Sequence, residues 1–262
     1  MIYRGQGKNL LIGARNALLI NPPIYDTQYW ARWSQPHGLL KIATWLRTNG
    51  YEKLRLLDCL ATNETRKVSF RHRQVIERGN VQRRICEYGW PLEKLKLELK
   101  RHATGELFYP EEIWVTSIMT YWWESTRDVI DLVFEVFPDN TPRILIGGIY
   151  PTLCPVHAED NIARGDDRVV IVPGEICNEA ANSWTDLSLY RDPVYGTCPQ
   201  YAIITGSRGC PFNCAYCAQL KLNNGNRQVR HRSATDVADE IELKFTDYGI
   251  REFAFYEDNL LF

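Results

Sequence analysis

The chain has 262 residues, of which 45% are apolar, 24% charged and 12% aromatic. This composition is typical of globular proteins and excludes a disordered or collagen-like chain. The 31 Lys and Arg residues against 32 Asp and Glu residues give a net charge of −1, which provides no overall attraction for nucleic acid or anionic lipid. We therefore expect no nucleic-acid partner, and any polyanion would need a local basic patch.

The longest apolar runs are short. Residues 10–12 and 17–20 are separated by Arg15 and Asn16, and each run falls far below the ~20 residues of a membrane span. No signal-peptide pattern opens the chain, so we expect a cytoplasmic protein without a membrane partner. In that reducing compartment, the eight cysteines need an explanation other than disulfides.

Short runs rich in Leu, Ile and Val predict five buried parallel strands, at residues 17–20, 54–57, 113–118, 143–146 and 169–172. Helical periodicity at 39–46 and 129–136 predicts two crossover helices between them. The fold class is therefore α/β, with a doubly wound, Rossmann-like parallel sheet. Ligands bind such sheets in the crevice at the carboxyl ends of the strands. We expect that crevice to be lined by Asn21, Pro22, Pro23, Asp58, Ser117, Gly147 and Gly148.

The pattern along the chain predicts two domains. The first covers residues 1–185 and contains a basic segment at 64–105, with eleven Lys or Arg and five Glu. We interpret this segment as a helical insertion with a solvated polar face, and a basic contact surface is the alternative. Residues 186–199 lack periodicity and are predicted to be an interdomain linker.

The second predicted domain covers residues 200–262. A strand at 201–205 is followed by a cysteine-rich loop, a helix at 234–245 capped by Ser233, and a strand at 252–256.

Three cysteines, Cys210, Cys214 and Cys217, lie on that loop at a spacing that lets their sulfurs converge on one centre. Three is an odd number for a disulfide framework, so the spacing favours metal ligation. Zinc would need a fourth ligand, and neither Cys198 nor His231 stands at a familiar zinc spacing. An iron–sulfur cluster with three thiolates leaves one iron open to a substrate or cofactor.

The CxxxCxxC pattern of these cysteines, with the aromatic Tyr216 before the third, resembles the radical S-adenosylmethionine superfamily. The resemblance implies a partial TIM-like (β/α)6 barrel in which three thiolates hold a [4Fe–4S] cluster. S-adenosylmethionine would bind the open iron and be cleaved to a 5′-deoxyadenosyl radical, with electrons from a donor such as flavodoxin or ferredoxin. The residues implied to contact S-adenosylmethionine are Tyr216, Glu257, Asp258 and Asn259.

Two further points follow from this resemblance. Arg230 and Arg232 look like the RxRS run of the superfamily, with ordinary surface pairing as the alternative. Only two of the six barrel strands fit into residues 200–262, which implies that the chain is cut short within the barrel.

The first domain is similar to the cobalamin-binding domain that precedes the radical domain in one subgroup of the superfamily. The similarity rests on short motifs: Leu19-Ile20-Asn21-Pro22-Pro23, Pro36-His37-Gly38-Leu39-Leu40, Thr116-Ser117-Ile118-Met119, Gly147-Gly148-Ile149-Tyr150 and Pro173-Gly174-Glu175. It implies that Ser117, Met119, Gly147 and Gly148 cradle the nucleotide tail of cobalamin. Plain tight turns at these positions are the alternative.

The sequence departs from the cobalamin pattern at one position. Leu60 stands where the DxHxxG form has its cobalt-ligating histidine. Either cobalamin binds without a lower histidine ligand, or the domain has kept the fold and lost the cofactor. His37 and His157 lie near the predicted crevice, but a lone loop histidine is more often a solvated or capping residue.

Two functions remain open from the sequence. The first is a radical S-adenosylmethionine enzyme that methylates or otherwise functionalises a C–H bond of an unidentified substrate. The second is a non-catalytic corrinoid- or nucleotide-binding module whose metal loop is structural or senses redox state. Aromatic residues after the third strand fit a planar ligand or ordinary packing between domains, and they are Tyr121, Trp122 and Trp123.

Overall fold

A computed structural model describes residues 4–5, 8–9, 16–27, 34–62, 68–196 and 199–259. Its strands are β1 (Arg4–Gly5), β2 (Lys8–Asn9), β3 (Asn16–Asn21), β4 (Ile24–Asp26), β5 (Lys53–Asp58), β6 (Phe70–Arg78), β7 (Val81–Tyr88), β8 (Glu112–Thr116), β9 (Arg143–Gly147), β10 (Val169–Ile171), β11 (Tyr201–Ile204), β12 (Ser207–Arg208), β13 (Arg230–His231) and β14 (Glu252–Phe255). Its helices are α1 (His37–Thr48), α2 (Leu92–Ala103), α3 (Trp123–Val136), α4 (Ile149–Leu153), α5 (Pro155–Ala158), α6 (Asn178–Asn182), α7 (Gln219–Leu222) and α8 (Ala234–Tyr248).

Five parallel strands form the central sheet, in the order β10-β9-β8-β3-β5. All five strands are at the predicted places, and the α/β, Rossmann-like class is confirmed. Ile20 of β3 lies opposite Leu57 of β5 on one side and Val115 of β8 on the other. From β3 the chain crosses to β5, and from β8 it crosses to β9, which lies in the opposite direction along the sheet. β3 and β8 therefore flank a topological switch point.

Burial explains why these short runs form strands. Residues 17–20 are fully buried, as expected for a strand covered by helices on both faces. Leu40, Ala43 and Leu46 of α1 and Val129 and Val133 of α3 form the apolar stripes that cover it. Both helices begin earlier than the periodic residues predict, α1 at His37 and α3 at Trp123.

The prediction of a helical insertion at 64–105 is wrong for its first half. β6 and β7 form an antiparallel hairpin across a two-residue turn, Gly79-Asn80, and β4 pairs with β7 to complete a three-stranded sheet. A Gly-Asn pair between two strand-like runs is a hairpin signal. The second half is helical, since α2 begins directly after Pro91. Residues 63–67 lie outside the described part.

The predicted linker at 186–199 carries a turn of 3₁₀ helix at Leu187–Arg191, and Thr197 and Cys198 lie outside the described part. Leu187, Leu189, Tyr190 and Tyr195 are buried against the core, so this segment packs as part of the fold. The domain boundaries themselves stay a prediction.

The strand, helix and strand predicted within residues 200–262 are present where the structure describes them. β11 and β14 pair in parallel, with α8 between them in sequence. The Ser233 hydroxyl accepts a hydrogen bond from the Asp236 N–H and caps α8, as predicted. No helix in the described ranges is both long and apolar enough to cross a membrane.

Candidate functional site

Two loop regions follow the carboxyl ends of parallel strands, and each contains residues predicted to bind a cofactor. The first is the edge of the central sheet, where β3, β5, β8 and β9 end. The second is the cysteine loop, residues 206–218, which lies between β11 and α7.

At the sheet edge, Asp58 is fully buried and its carboxylate is bonded inward. The Asn21 side-chain amide donates to Oδ1 at 2.7 Å, and the Tyr190 hydroxyl donates to Oδ2 at 2.6 Å. The backbone N–H of Leu60 also donates to Oδ1, at 3.1 Å. Burial, together with this carboxylate, raises the pKa of Tyr190 well above its usual value. Asp58 is therefore a structural acceptor that does not face the crevice.

The Ser117 and Gly148 turns contact each other at this edge. The Ser117 N–H donates to the Gly147 carbonyl at 2.8 Å, and the Ser117 carbonyl accepts from the Tyr150 N–H at 3.1 Å. Gly148 has a φ of 110°, and a Cβ there would lie 2.5 Å from the Ser117 carbonyl oxygen. The close approach that requires glycine is therefore made by the protein's own backbone.

The residues predicted to hold the nucleotide tail of cobalamin differ in their surroundings. The Ser117 side chain is buried and accepts a hydrogen bond from the Thr126 hydroxyl at 2.9 Å, while Met119 is exposed. Leu60 is buried, and the Trp90 N–H donates to the carbonyl of the preceding Cys59 at 2.8 Å. The assignment of Ser117, Met119, Gly147 and Gly148 to cobalamin stays a prediction, without support from the contacts at this edge.

The two histidines near this edge have different environments. His157 lies 2.8 Å from the Tyr150 hydroxyl through Nδ1, and its ring packs edge-on against Trp123. Both ring nitrogens of His37 are buried without a hydrogen-bond partner. Burial, and then the nearby Lys41, lower the pKa of His37 well below its usual value, so its ring is neutral.

The aromatic residues after β8 are held by this protein's own side chains. The Trp122 indole N–H donates to Asp26 at 2.8 Å, and its ring meets Tyr121 edge to face. Arg127 lies over the face of Trp123. These contacts favour the packing interpretation over a stacked planar ligand.

The base of the cysteine loop is held by two carboxylates that directly follow β14. Glu257 accepts hydrogen bonds from the backbone N–H groups of Gly206 at 2.5 Å and Ser207 at 2.8 Å. Asp258 accepts from the Gly209 N–H at 2.6 Å and from Arg208 at 3.0 Å. Charge-assisted bonds of this kind are stronger than neutral ones, so the loop base is firmly anchored.

Backbone geometry restricts the same point of the loop. Gly209 has a φ of 106°, and a Cβ there would overlap the Gln228 carbonyl oxygen. Only glycine fits this close crossing of two chain segments. The backbone that leads into Cys210 is therefore fixed.

The three thiols differ in their surroundings. Cys210 is partly buried and lies 3.8 Å from the Asn259 side-chain amide, whereas Cys214 and Cys217 are exposed. Tyr216 is 93% exposed, and hydrogen bonding to Cys214 raises its pKa. The structure thus brings Glu257, Asp258 and Asn259 to the loop base, while Tyr216 stands at its exposed end.

The sulfurs are not gathered into a binding geometry. Within the described ranges, no group of three or more His, Cys, Asp or Glu side chains lies close enough together to hold a metal ion. The donor set nevertheless fits an iron–sulfur cluster by its chemistry, since it consists of three free thiols on one short loop. To bind a cluster, the part of the loop beyond its fixed base would have to move so that the three sulfurs come together.

Sequence reasoning missed the ion pairs that connect this loop to the central sheet. Glu175 follows β10, and its carboxylate accepts from both Arg208 and Arg230. Arg232 is buried rather than on the surface, and its guanidinium pairs with Asp236 and Glu240. The motif containing Glu175 was visible in the sequence, but its long-range partners were not.

No protein-family model matches the chain. A protein of Pyrococcus horikoshii, described as an uncharacterized methyltransferase, is 38% identical over 58 residues. That stretch covers 22% of this chain and 12% of the Pyrococcus protein, so the chain is similar to that protein over a short segment.

Proposed function

We propose that this chain is part of a radical S-adenosylmethionine enzyme that acts in methylation or another C–H functionalisation. The observation that carries the proposal is the cysteine loop: three free thiols in the pattern CxxxCxxC follow one strand of a parallel pair, and carboxylates from the end of the other strand anchor the loop base. The short similarity to a protein described as a methyltransferase supports the same class of chemistry.

In this proposal Cys210, Cys214 and Cys217 hold a [4Fe–4S] cluster. When bound, the cluster would supply an electron to S-adenosylmethionine and an open iron to chelate it. Cys210 would fix the position of one corner of the cluster, because Asp258 holds the N–H of the neighbouring Gly209 and so fixes the backbone at Cys210. Cys214 and Cys217 are exposed and free to close on the cluster.

The remaining residues of the site act through position. Glu257 and Asp258 use their carboxylate oxygens on the loop base, and of the predicted S-adenosylmethionine residues Tyr216 is the most exposed to a ligand. The exposed face of the loop is also where a low-potential donor such as flavodoxin or ferredoxin would deliver an electron. The proposal includes no step that uses cobalamin.

Reconstitution tests this proposal. The reduced chain, incubated anaerobically with iron and sulfide, should bind about four irons per chain and turn brown. Cys214→Ala should lose the cluster, whereas Cys154→Ala, which removes a thiol outside the loop, should keep it. Reductive cleavage of added S-adenosylmethionine to 5′-deoxyadenosine would separate an enzyme from a binding module. Stoichiometric zinc with no visible absorption would contradict the proposal.

A further inference from the structure

Glu175 connects the central sheet to the cysteine loop. It follows β10 in the turn Pro173-Gly174-Glu175, and this turn is fixed because the Gly174 N–H donates to the Thr152 hydroxyl at 2.8 Å. The Glu175 carboxylate accepts from Arg208 Nε at 3.2 Å and from Arg230 Nη2 at 2.8 and 3.0 Å. One carboxylate thus holds two guanidinium groups.

The two arginines are neighbours on a small ribbon. β12 and β13 pair antiparallel, and Arg208 lies directly opposite Arg230. Like charges at opposed positions destabilise a strand pair, so this ribbon needs a shared counter-charge. Glu175 provides it, and Asn178 adds a second acceptor for Arg230 at 2.9 Å.

Arg208 also connects Glu175 to the backbone next to Cys210, the first cysteine of the loop. Its other guanidinium nitrogen donates to Asp258 at 3.0 Å, and the second Asp258 oxygen accepts from the Gly209 N–H. Gly209 precedes Cys210 directly. A continuous series of charge-assisted bonds therefore runs from Glu175 through Arg208 and Asp258 to the backbone next to Cys210.

We infer that Glu175 is a positioning residue for the cysteine loop, so that the site for the cluster is set in part by the central sheet. The inference rests on the proposed function for what the loop holds, but not for the position of Cys210. Without the Glu175 charge, Arg208 and Arg230 repel each other across the ribbon, Arg208 loses one of its two carboxylates, and the segment next to Cys210 loosens.

The test compares the wild type with Glu175→Gln, which removes the charge but keeps the shape. The matched control is Asp166→Asn, because Asp166 is a carboxylate paired with Arg168 on a distant surface. In the reduced, metal-free protein, alkylation of Cys210 by iodoacetamide is followed by mass spectrometry. We expect Cys210 to react several-fold faster in Glu175→Gln, Cys214 to react at an unchanged rate, and Asp166→Asn to match the wild type.

The reconstituted proteins give a second, spectroscopic measurement. With S-adenosylmethionine present, the electron paramagnetic resonance spectrum of the reduced cluster should be broadened or shifted in Glu175→Gln, and a chelator should remove its iron several-fold faster. Glu175→Asp should restore part of both properties. Circular dichroism checks that each variant is folded.

The outcomes are distinguishable. If folded Glu175→Gln equals the wild type in Cys210 alkylation, the positioning role is overturned, whatever the loop binds. If the wild type binds no cluster, the proposed function fails, and the alkylation rates still decide the role of Glu175. A cluster with identical spectra and identical chelator kinetics in both proteins would also overturn the inference.

Discussion

Asp58 and Asp258 occupy equivalent places in two parts of the molecule, because each comes at or just after the carboxyl end of a parallel strand. Asp58 ends β5, is fully buried, and accepts hydrogen bonds from the Asn21 amide and the Tyr190 hydroxyl in the core. Asp258 follows β14 and holds the base of a loop whose outer thiols are exposed. An aspartate at the end of a parallel strand thus stabilises the core in one region and anchors an exposed loop in the other.

The difference comes from what covers each edge. At the sheet edge, the segment after the hairpin returns so that Trp90 bonds to Cys59, and Tyr190 and Tyr195 pack over Asp58. At the cysteine loop, Cys214 and Cys217 have no such cover. A location at the end of a parallel strand is therefore a weak guide to ligand binding unless the polar groups there are still free.

Thiol reactivity should give the largest contrast between the two regions. In the reduced, metal-free protein, Cys214 should react with iodoacetamide at about a thousand times the rate of Cys59 or more, because a fully buried thiol reacts only when the fold opens. Burial also raises the pKa of Cys59 well above its usual value, which further reduces its thiolate fraction. Peptide mapping after timed alkylation measures both rates, and comparable rates would break the comparison.

Substitution of the two aspartates should separate stability from loop order. Asp58→Ala should lower the free energy of unfolding by about 3 kcal/mol or more, since several buried donors lose their charged acceptor. Asp258→Ala should lower it less, by about 2 kcal/mol, because the Gly209 N–H loses a buried acceptor whereas Arg208 is 42% exposed and keeps Glu175. Urea denaturation of both variants measures this difference, and equal losses would argue against two distinct roles.

Gly147, the last residue of β9, and the adjacent Gly148 test whether the sheet edge is closed by its own backbone. Gly148→Ala should cost about 2 kcal/mol, because φ is positive and the new Cβ would collide with the Ser117 carbonyl. Gly147→Ala should be neutral or slightly stabilising, since its φ is not positive and the nearest neighbour, the Val172 oxygen, would be 3.9 Å away. Thermal denaturation compares them, and a reversed order would contradict the observed turn.

Acidification should have the smallest effect, and it acts in part through the buried His102 of α2. His102 is buried, its Nδ1 donates to the Phe108 carbonyl at 2.7 Å, and its Nε2 accepts from Arg55 at 3.2 Å. The ring must therefore be neutral, and burial lowers its pKa below the usual 6.5. The unfolded chain takes up the proton first, so this contribution to stability is complete above pH 6.5 and declines as the pH falls toward the lowered value.

Urea denaturation at pH 7 and pH 5 measures this decline, and His102→Gln is the matched variant. We expect the wild type to lose about 1 kcal/mol more than His102→Gln over that interval. His37 titrates in the same direction, and it is present in both proteins, so the difference isolates His102. Identical losses would show that His102 does not titrate with folding.

Local patterns in the sequence predicted most of the fold. Runs of buried Leu, Ile and Val located all five strands of the central sheet, and Ser233 located the start of α8. The hairpin was missed because its exposed strands carry many arginines, and the Gly79-Asn80 turn was the available signal. At the candidate site the cysteines were visible, but the Glu175 contacts join distant segments and leave no local pattern.

The order of the central sheet also has a consequence for folding kinetics. β3 pairs with its near neighbour β5 and with β8, which follows much later in the chain, and closing so long a loop slows the search for the native state. The β6–β7 hairpin lies within that connection and contains its own short-range pairs. By forming locally in microseconds, it shortens the free chain that must be closed before β8 can dock.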